Sequence, residues 1–346
     1  MLARSAYDAG FNVAVIDQYG DQDTHRYAQV VKTLSEFSDA LIFRNIEQLF
    51  LTFPFEGIIL ASGFESRTDL VAELEQRWII FGPSAASISF AKQPLHLAKL
   101  LTDNDISFPI TQLEAPQSDQ WLVKEKGGSG GDHVEWFNRQ EKYSEDSYYQ
   151  KFQSGVTGSV LFLATFEDAQ IVGYSRTWSV GEHSFRYSGA VGWNNIEQQA
   201  ELARVVKTIS RLFKLVGLCG IDFILDDQGG IHILEINPRP VSTMDLHDNN
   251  PLNLFKAHLN ACHQNLENFV LDQAIYYAKT ILYADRDLSI NIRKWPKWVA
   301  DMPQYDENIE MGAPICTVYA EASGANHARK LVHDREIKIK ELLGLL

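Results

Sequence analysis

Residues 219–240 read CGIDFILDDQGGIHILEINPRP, and this stretch decides the fold. Apolar residues dominate both sides of the Gly229-Gly230 pair, and glycine supplies the positive φ that a tight reversal needs. The stretch therefore predicts a β-hairpin. Two carboxylates, Asp222 and Glu235, lie in these otherwise apolar strands, and Asn237 follows Glu235 by two residues, which puts both on one face of the pleat.

Oxygen-bearing side chains that converge on one hairpin predict a Mg²⁺ site, because Mg²⁺ takes oxygen ligands and usually one or two carboxylates with substrate phosphates. Arg239 continues the period of two and would place a guanidinium where charge develops in phosphoryl transfer. An amphipathic hairpin with solvated acids is the alternative for an isolated pair of strand carboxylates. The fuller pattern Asp…Glu-x-Asn-x-Arg across a glycine turn favours the metal site.

The composition excludes several classes of protein. The chain has 346 residues, of which 45% are hydrophobic, enough for two or three domains or one domain with lobes. A formal net charge of −14 argues against nucleic acid or an anionic membrane as a partner, since both need clustered Lys and Arg. Cys219, Cys262 and Cys316 are odd in number and far apart, so we expect no disulfide framework or zinc site and a cytoplasmic location.

Helix and strand patterns alternate over the first 83 residues, which predicts a doubly wound parallel sheet. The expected strands are 11–16, 40–43, 57–61 and 78–81, and the expected helices are 2–8, 24–34, 46–51 and 70–76. The chain opens in a helix, whereas such domains usually open with a strand. Either a first strand is missing from this version of the chain, or the sheet is one strand smaller.

A glycine-rich loop, Gly127-Gly128-Ser129-Gly130-Gly131, joins a predicted strand at 121–124 to another at 134–137. Its backbone N–H groups can face phosphate oxygens without side chains in the way, and Lys124 can add a point charge to those phosphates. A flexible hairpin loop is the alternative. No Gly-Lys-Ser/Thr follows the glycines and no helix opens from the loop, so neither the P-loop nor the dinucleotide fingerprint is present.

Arg176 and Arg186 are basic residues in a chain that has few of them, so both are candidates for holding a substrate carboxylate. Pairing with surface acids is the alternative for each. Arg176 lies in a second predicted hairpin, 159–165 and 171–179. Arg186 lies in a stretch, 184–192, that is expected to be irregular, and a long helix at 196–216 should pack on the hairpins.

Together these segments resemble the ATP-grasp superfamily. The most specific part is Gly-Ile-Asp-Phe…Leu-Glu-Ile-Asn-Pro-Arg of the opening stretch. The resemblance implies an α/β and α+β chain: a Rossmann-like (pre-ATP-grasp) domain at 1–90, followed by a two-lobed ATP-grasp fold with a small lobe at 91–160 and a large lobe at 161–346. The resemblance also implies that Asp222, Glu235 and Asn237 are ligands of Mg²⁺ (or Mn²⁺). Lys124 and the 127–131 loop would contact the phosphates of ATP, and Gln150, Lys151 and Phe152 would form the hinge beside adenine. Arg239 would act at the acyl-phosphate transition state.

More narrowly, residues 17–24, 62–65, 185–191 and 312–318 look like a carboligase-like branch that is similar to biotin carboxylase. Members of that branch occur in methylotrophs with one-carbon transfer on tetrahydromethanopterin and methanofuran-type coenzymes. Some positions depart from the superfamily pattern: its first lysine falls near Gln93-Pro94, with Lys92 and Lys99 nearby, while Thr157 replaces a common glutamate and Glu125 a common proline.

The leading hypothesis is an ADP-forming ligase that joins a small-molecule carboxylate to an amine, or to a thiol, through an acyl phosphate. Biosynthesis of a one-carbon coenzyme is its suggested setting. A nucleotide-binding scaffold or regulatory protein with a degenerate site is one alternative, and a biotin-carboxylase-like carboxylation with bicarbonate is another. A homodimer is the default expectation.

Overall fold

The computed structural model describes residues 1–181, 184–248, 253–266 and 274–345. Two antiparallel sheets hold most of the strands, one with four strands and one with eight. Among the described residues, no helix combines the length and the apolar character that a membrane crossing requires.

The first part of the chain has one parallel strand pair surrounded by helices. Its elements are α1 (Leu2–Asp8), β1 (Ala14–Asp17), α2 (Thr24–Tyr27), β2 (Val30–Thr33), α3 (Asp39–Thr52) and α4 (Thr68–Glu75). β1 and β2 pair in parallel, and Ile58 and Ile80 form a further parallel bridge. Parallel pairing is thus present, but β2 was not an expected strand and the strands expected at 57–61 and 78–81 share only this single bridge. The Rossmann-like assignment of residues 1–90 stays a prediction.

Two predictions in this part are wrong. Residues 40–43 are not a strand but belong to α3, because Ile42, Ile46 and Leu49 recur at helical spacing and are buried together. The helix expected at 24–34 ends at Tyr27, after which the chain turns into β2 beside β1. Short apolar runs fit both kinds of element, and tertiary pairing decided between them.

The middle part is a small antiparallel sheet that follows two helices. Its elements are α5 (Ala85–Ala91), α6 (Pro94–Asp103), β3 (Thr111–Gln112), β4 (Trp121–Glu125), β5 (Val134–Trp136) and β6 (Ser147–Lys151). The strand order is β3-β6-β4-β5, so the glycine-rich loop connects two neighbouring strands, as predicted.

The large sheet has the order β11-β10-β7-β8-β9-β12-β16-β14, and the opening stretch forms its edge hairpin. The elements of this part are β7 (Val156–Ala164), β8 (Ala169–Ser179), β9 (Tyr187–Gly192), α7 (Gln199–Phe213), β10 (Gly217–Leu225), β11 (Ile231–Asn237), a 3₁₀ helix (Ser242–Leu246), α8 (Leu254–Cys262), β12 (Tyr276–Tyr283), β13 (Leu288–Ser289), β14 (Val299–Ala300), β15 (Asn308–Ile309), β16 (Pro314–Ala322) and α9 (Ala325–Leu343). The predicted hairpins and the long helix α7 are confirmed. The stretch expected to be irregular contains β9, a central strand, because its backbone pairs with β8 and β12.

The faces of the large sheet fix where the side chains of β10 point. Ile221 and Phe223 pack in the core that includes α7. Residues alternate across a strand, so Asp222 points to the opposite face. That face is covered in part by α8, whose Leu254 packs with Leu218 of β10.

Segments from the two ends of the chain are fastened to each other. Asp23 accepts hydrogen bonds from the backbone N–H groups of Asp301 and Met302, each at 3.0 Å. Gln22 and Gln304 add bonds to backbone carbonyls of the opposite segment. Residues 20–23 and 301–307 therefore form one polar clamp.

Candidate active site

The two hairpin carboxylates lie directly opposite each other. Asp222 of β10 pairs with Glu235 of β11, and Gly220 pairs with Asn237. Residues that oppose each other in an antiparallel pair share a face, and like charges in this position destabilise it. The amide nitrogen of Asn237 donates a hydrogen bond to Asp222 at 2.8 Å. The structure thus brings the three predicted metal ligands together.

Asp222 is held in an environment that disfavours its charge. Burial and the neighbouring Glu235 raise its pKa, against hydrogen bonds from Ser159 and Asn237 that lower it. Ser159 is the partner of Asp222 on β7. A cation between the two carboxylates would remove the repulsion, so the carboxylate pair fits Mg²⁺, while the Asn237 side-chain oxygen accepts from Arg239 in this structure. Among the described residues, no group of three or more His, Cys, Asp or Glu side chains is placed to hold a metal, and the candidate ligands are this pair with Asn237 beside it.

Glu235 lies among cations. Burial would raise its pKa, but the ion pair with Lys92, together with Lys124 and His133, outweighs burial and lowers it. Lys124 is itself buried, with 8% of its surface exposed. Burial lowers the pKa of Lys124, while Glu235 opposes that effect. An ammonium group in such a dry position acts strongly on any anion that reaches it.

Arg239 is tied to the first part of the chain. Its guanidinium donates to Glu65 and, at 3.2 Å, to the Asn237 side-chain oxygen. The other oxygen of Glu65 accepts the Gly63 N–H at 2.9 Å. Burial would raise the pKa of Glu65, but Arg239 and Lys92 lower it. Glu65 is therefore a charged, buried partner that orients the arginine.

The glycine-rich loop contacts both the start of β9 and the segment around Ser62. The carbonyl of Gly130 accepts a hydrogen bond from the Tyr187 N–H at 2.8 Å, and the hydroxyls of Ser129 and Ser62 are 3.3 Å apart. At Gly131 the φ is +83°, and a Cβ there would come within 2.0 Å of the Phe185 carbonyl oxygen. This close approach leaves room for glycine alone.

Comparison with known proteins identifies the domain that carries these residues. The ATP-grasp domain family matches residues 91–243. These residues are an ATP-grasp domain. The match includes Lys92, Lys124, the glycine-rich loop and the hairpin, while Glu65 lies outside it.

Relatives and solved structures agree with this assignment. A D-alanine–D-alanine ligase of Francisella tularensis subsp. novicida is 28% identical over 176 residues, which cover 44% of this chain and 54% of the ligase. The chain thus spans about half the length of the curated relatives that it matches first. The mixed α/β ATP-grasp fold also appears in the solved structures that resemble it.

Two such structures are informative. The biotin carboxylase domain of Hydrogenobacter thermophilus 2-oxoglutarate carboxylase, solved with MgADP, ADP and bicarbonate, superimposes with a TM-score of 0.76 at 12% identity and covers 93% of this chain and 83% of its own. An L-amino acid ligase from Bacillus licheniformis gives 0.74 at 14% identity and covers 96% and 93%. At such low identity the likeness shows the fold alone.

The predicted hinge residues end β6 and lead toward β7 of the large sheet. Gln150 is 1% exposed and donates to the Thr111 hydroxyl at 3.2 Å, while Lys151 donates to the Asp119 carbonyl at 2.9 Å. The ring of Phe152 lies 4.8 Å from that of Trp136. The side chains of Gln150 and Lys151 thus have protein partners, and the backbone N–H groups of Lys151 and Phe152 donate to the carbonyls of Ile110 and Gln120.

The two candidate arginines lie in different places. Arg176 is beside Gly158, the partner of Phe223, so it points to the face opposite Asp222, where it stacks over Trp193 at 4.3 Å. The structure therefore does not bring Arg176 to the carboxylates. Arg186 directly precedes β9. It pairs with Asp132 at 2.8 Å, just after the glycine-rich loop, and donates to the Gly312 carbonyl at 2.6 Å.

Sequence reasoning missed three residues of the site: Lys92, Glu65 and His133. Lys92 had a signal, because it stands one position before Gln93, where the superfamily lysine is expected. Glu65 was noticed only as part of the segment 62–65. His133 had no signal, and it comes to Glu235 because β5 folds back on β4.

Proposed function

We propose that the protein is an ATP-dependent, ADP-forming ligase that joins a small-molecule carboxylate to an amine. The observation that supports this most is the cross-strand pair of Asp222 and Glu235, with Lys124 and Arg239 beside it, inside an ATP-grasp domain. ATP-grasp proteins use ATP and Mg²⁺, and the solved structure with MgADP illustrates this.

Asp222, Glu235 and Asn237 would hold Mg²⁺, or Mn²⁺ in its place, which supplies a bridge to the phosphates of ATP. Lys124 contributes a buried ammonium group to the same phosphates. The 127–131 loop offers backbone N–H groups and covers the site against water. Residues 150–152 would border adenine from the link between the two sheets.

The reaction has two balanced steps. An oxygen of the substrate carboxylate attacks the γ-phosphorus of ATP, and ADP leaves. The amine nitrogen then attacks the acyl carbon, phosphate leaves, and the nitrogen loses a proton. Arg239, oriented by Glu65, faces the negative charge that develops on the transferred group, and catalysis is mostly positioning and charge neutralisation.

The substrates would bind near Arg186. A cavity of about 690 Å³ is lined by residues of the polar clamp together with Tyr19 and His25. Burial and Asp17 raise the pKa of Tyr19 while Arg186 lowers it, so the cavity and the arginine are neighbours. Segment 17–24 supplies residues that line the cavity, and Arg186 of segment 185–191 donates to the Gly312 carbonyl of segment 312–318. This clustering supports a coenzyme precursor as the narrower substrate proposal.

Two other functions keep the same nucleotide site. Bicarbonate is the alternative acid, and it is the acid bound in the carboxylase domain whose fold this chain resembles. A scaffold with a degenerate site is favoured by Thr157, whose hydroxyl donates to the Thr177 carbonyl at 2.8 Å and supplies no carboxylate.

ADP release with panels of carboxylate–amine pairs, and with bicarbonate alone, separates these functions. We expect release that depends on both an acid and an amine and that Asp222→Ala or Glu235→Ala abolishes while the circular dichroism spectrum is retained. Bicarbonate-dependent release without an amine would favour the carboxylase. ATP binding without release in any combination would favour the scaffold, and full activity of both variants would refute the metal assignment.

A further inference from the structure

Lys92 and the proposed metal share one carboxylate. The Lys92 side chain is 9% exposed, and its ammonium group forms an ion pair with Glu235, which is 28% exposed. Glu235 is also one of the three residues that would hold the metal. A single carboxylate therefore serves two cations that differ in charge and size.

The backbone of Lys92 is held at the end of α5, so that its side chain would have to move between Glu235 and a phosphate. Lys92 directly follows α5, whose start is fixed by the Ser84 hydroxyl, which accepts the Ser87 N–H at 3.1 Å. The end of α5 is fixed by Ala91, which is 1% exposed in the core that includes α7. Any movement of the ammonium group is thus confined to the flexible four-carbon stem of the lysine.

The charges around Glu235 allow only one arrangement at a time. Lys92 and Lys124 both act on Glu235, and Asp222 lies opposite it. A divalent cation between the carboxylates would face two ammonium groups at short range, which is unfavourable in a buried site. A polyphosphate is the anion that would accept the displaced ammonium group.

We propose that Lys92 and the divalent cation compete for Glu235, so that metal binding releases the Lys92 ammonium group to a phosphate of the nucleotide. The inference rests on the proposed function and specifies how metal binding and nucleotide binding are coupled. Metal and nucleotide then bind cooperatively, because the metal frees the ammonium group that the nucleotide takes and the nucleotide frees the carboxylate that the metal takes, and the coupling is reciprocal.

The test measures Mn²⁺ binding to the full chain by electron paramagnetic resonance, with and without saturating ADP. Lys92→Met should bind Mn²⁺ about tenfold more tightly without ADP, because a competing charge is gone. The tightening of Mn²⁺ binding by ADP should shrink accordingly. Lys92→Gln should behave like Lys92→Met, and Lys92→Arg, which keeps the charge, should stay close to the wild type.

Lys99→Met is the matched control, since Lys99 is exposed and pairs with Asp103 on the same helix. Unchanged or weaker Mn²⁺ binding by Lys92→Met and Lys92→Gln would overturn the proposal. Loss of a lysine that merely holds Glu235 in place would leave Mn²⁺ affinity unchanged or lower it. If the wild type binds neither Mn²⁺ nor ADP, the proposed function itself fails. If it binds both and the variants change nothing, only the competition fails.

Discussion

Glu65 accepts a hydrogen bond from the guanidinium of Arg239, although the two residues are 174 positions apart in the chain. Their ion pair is nearly dry, with 2% of the Glu65 side chain and 12% of the Arg239 side chain exposed. The arginine that follows β11 thus owes its orientation to the loop before α4. A part of the chain outside the matched domain completes the site.

Replacing Glu65 should therefore impair the chemical step. We expect Glu65→Gln to lower kcat for ADP release about tenfold or more, because a charged hydrogen bond is worth about 1.5–3 kcal/mol. Nucleotide affinity, measured by calorimetry, should change little. Asp39→Asn is the control, since it breaks the exposed pair of Asp39 with Arg67. Equal losses in both variants would argue against a positioning role.

Asp222→Asn should have opposite effects on stability and on metal binding. In buffer with chelator, the free energy of unfolding should rise by about 0.5–1 kcal/mol, since the substitution removes a like charge opposite Glu235. Mn²⁺ binding should be lost. Urea unfolding and metal titration check the two effects, with the exposed turn residue in Asp227→Asn as the control. A loss of stability would show that the Asp222 charge supports the fold.

Asp21 should make stability depend on pH. Burial and the carboxylates of Asp301, Asp17, Asp23 and Glu307 raise its pKa from 3.8 to about 8. Between about pH 4 and pH 8 the folded protein holds a proton that the unfolded chain has released. The free energy of unfolding therefore falls as pH rises through this interval and levels off above it.

Asp21→Asn removes this dependence. Urea unfolding at pH 5 and pH 8.5 should show the variant gaining about 1–2 kcal/mol on the wild type at the higher pH, after allowance for solvent screening. Asp285→Asn, at an exposed turn, should not change the slope. Parallel pH profiles for the wild type and Asp21→Asn would contradict the assignment.

Gly131→Ala should distort the phosphate loop. Its Cβ would meet the Phe185 carbonyl oxygen at 2.0 Å, so the loop or the start of β9 must shift. We expect a loss of ATP affinity of about tenfold or more, measured by calorimetry, with a modest drop in melting temperature. Gly10→Ala isolates the backbone strain, because Gly10 has a similar φ of +81° and no atom within 4 Å of its added Cβ. Full ATP affinity in Gly131→Ala would exclude the loop from the nucleotide site.

Arg186 and Arg176 form a matched pair of sites. Arg186→Gln should raise KM for the acid substrate about tenfold, since a charged contact to a carboxylate is lost. Arg176→Gln should leave KM unchanged, because Arg176 lies over Trp193 on the other face of the large sheet. Initial rates at saturating ATP measure both, and a higher KM for Arg176→Gln would mean that the acid binds elsewhere.

Local patterns predicted the hairpin well, because period, glycine turn and carboxylate positions lie within one short stretch. They failed for residues 40–43, where an apolar run fits both helix and strand, and for β9, whose pairing comes from distant strands. The partners of Glu235 and Arg239 lie 143 and 174 positions away, so the spacing of residues within the hairpin could not indicate them. The faces of the large sheet on which Arg176 and Asp222 lie depend on the register of its strands. The sequence alone does not fix that register.

The polar clamp limits how this chain can be recombined with its relatives. Asp23 holds the backbone of Asp301 and Met302 by hydrogen bonds that demand a matching shape on both sides. A chimera that exchanged the segment around Asp23 but kept the segment 301–307 would leave the partly buried amide groups of Asp301 and Met302 without these acceptors. The two segments therefore form one exchangeable unit, and substrate preference should transfer between homologous enzymes only when both are moved together.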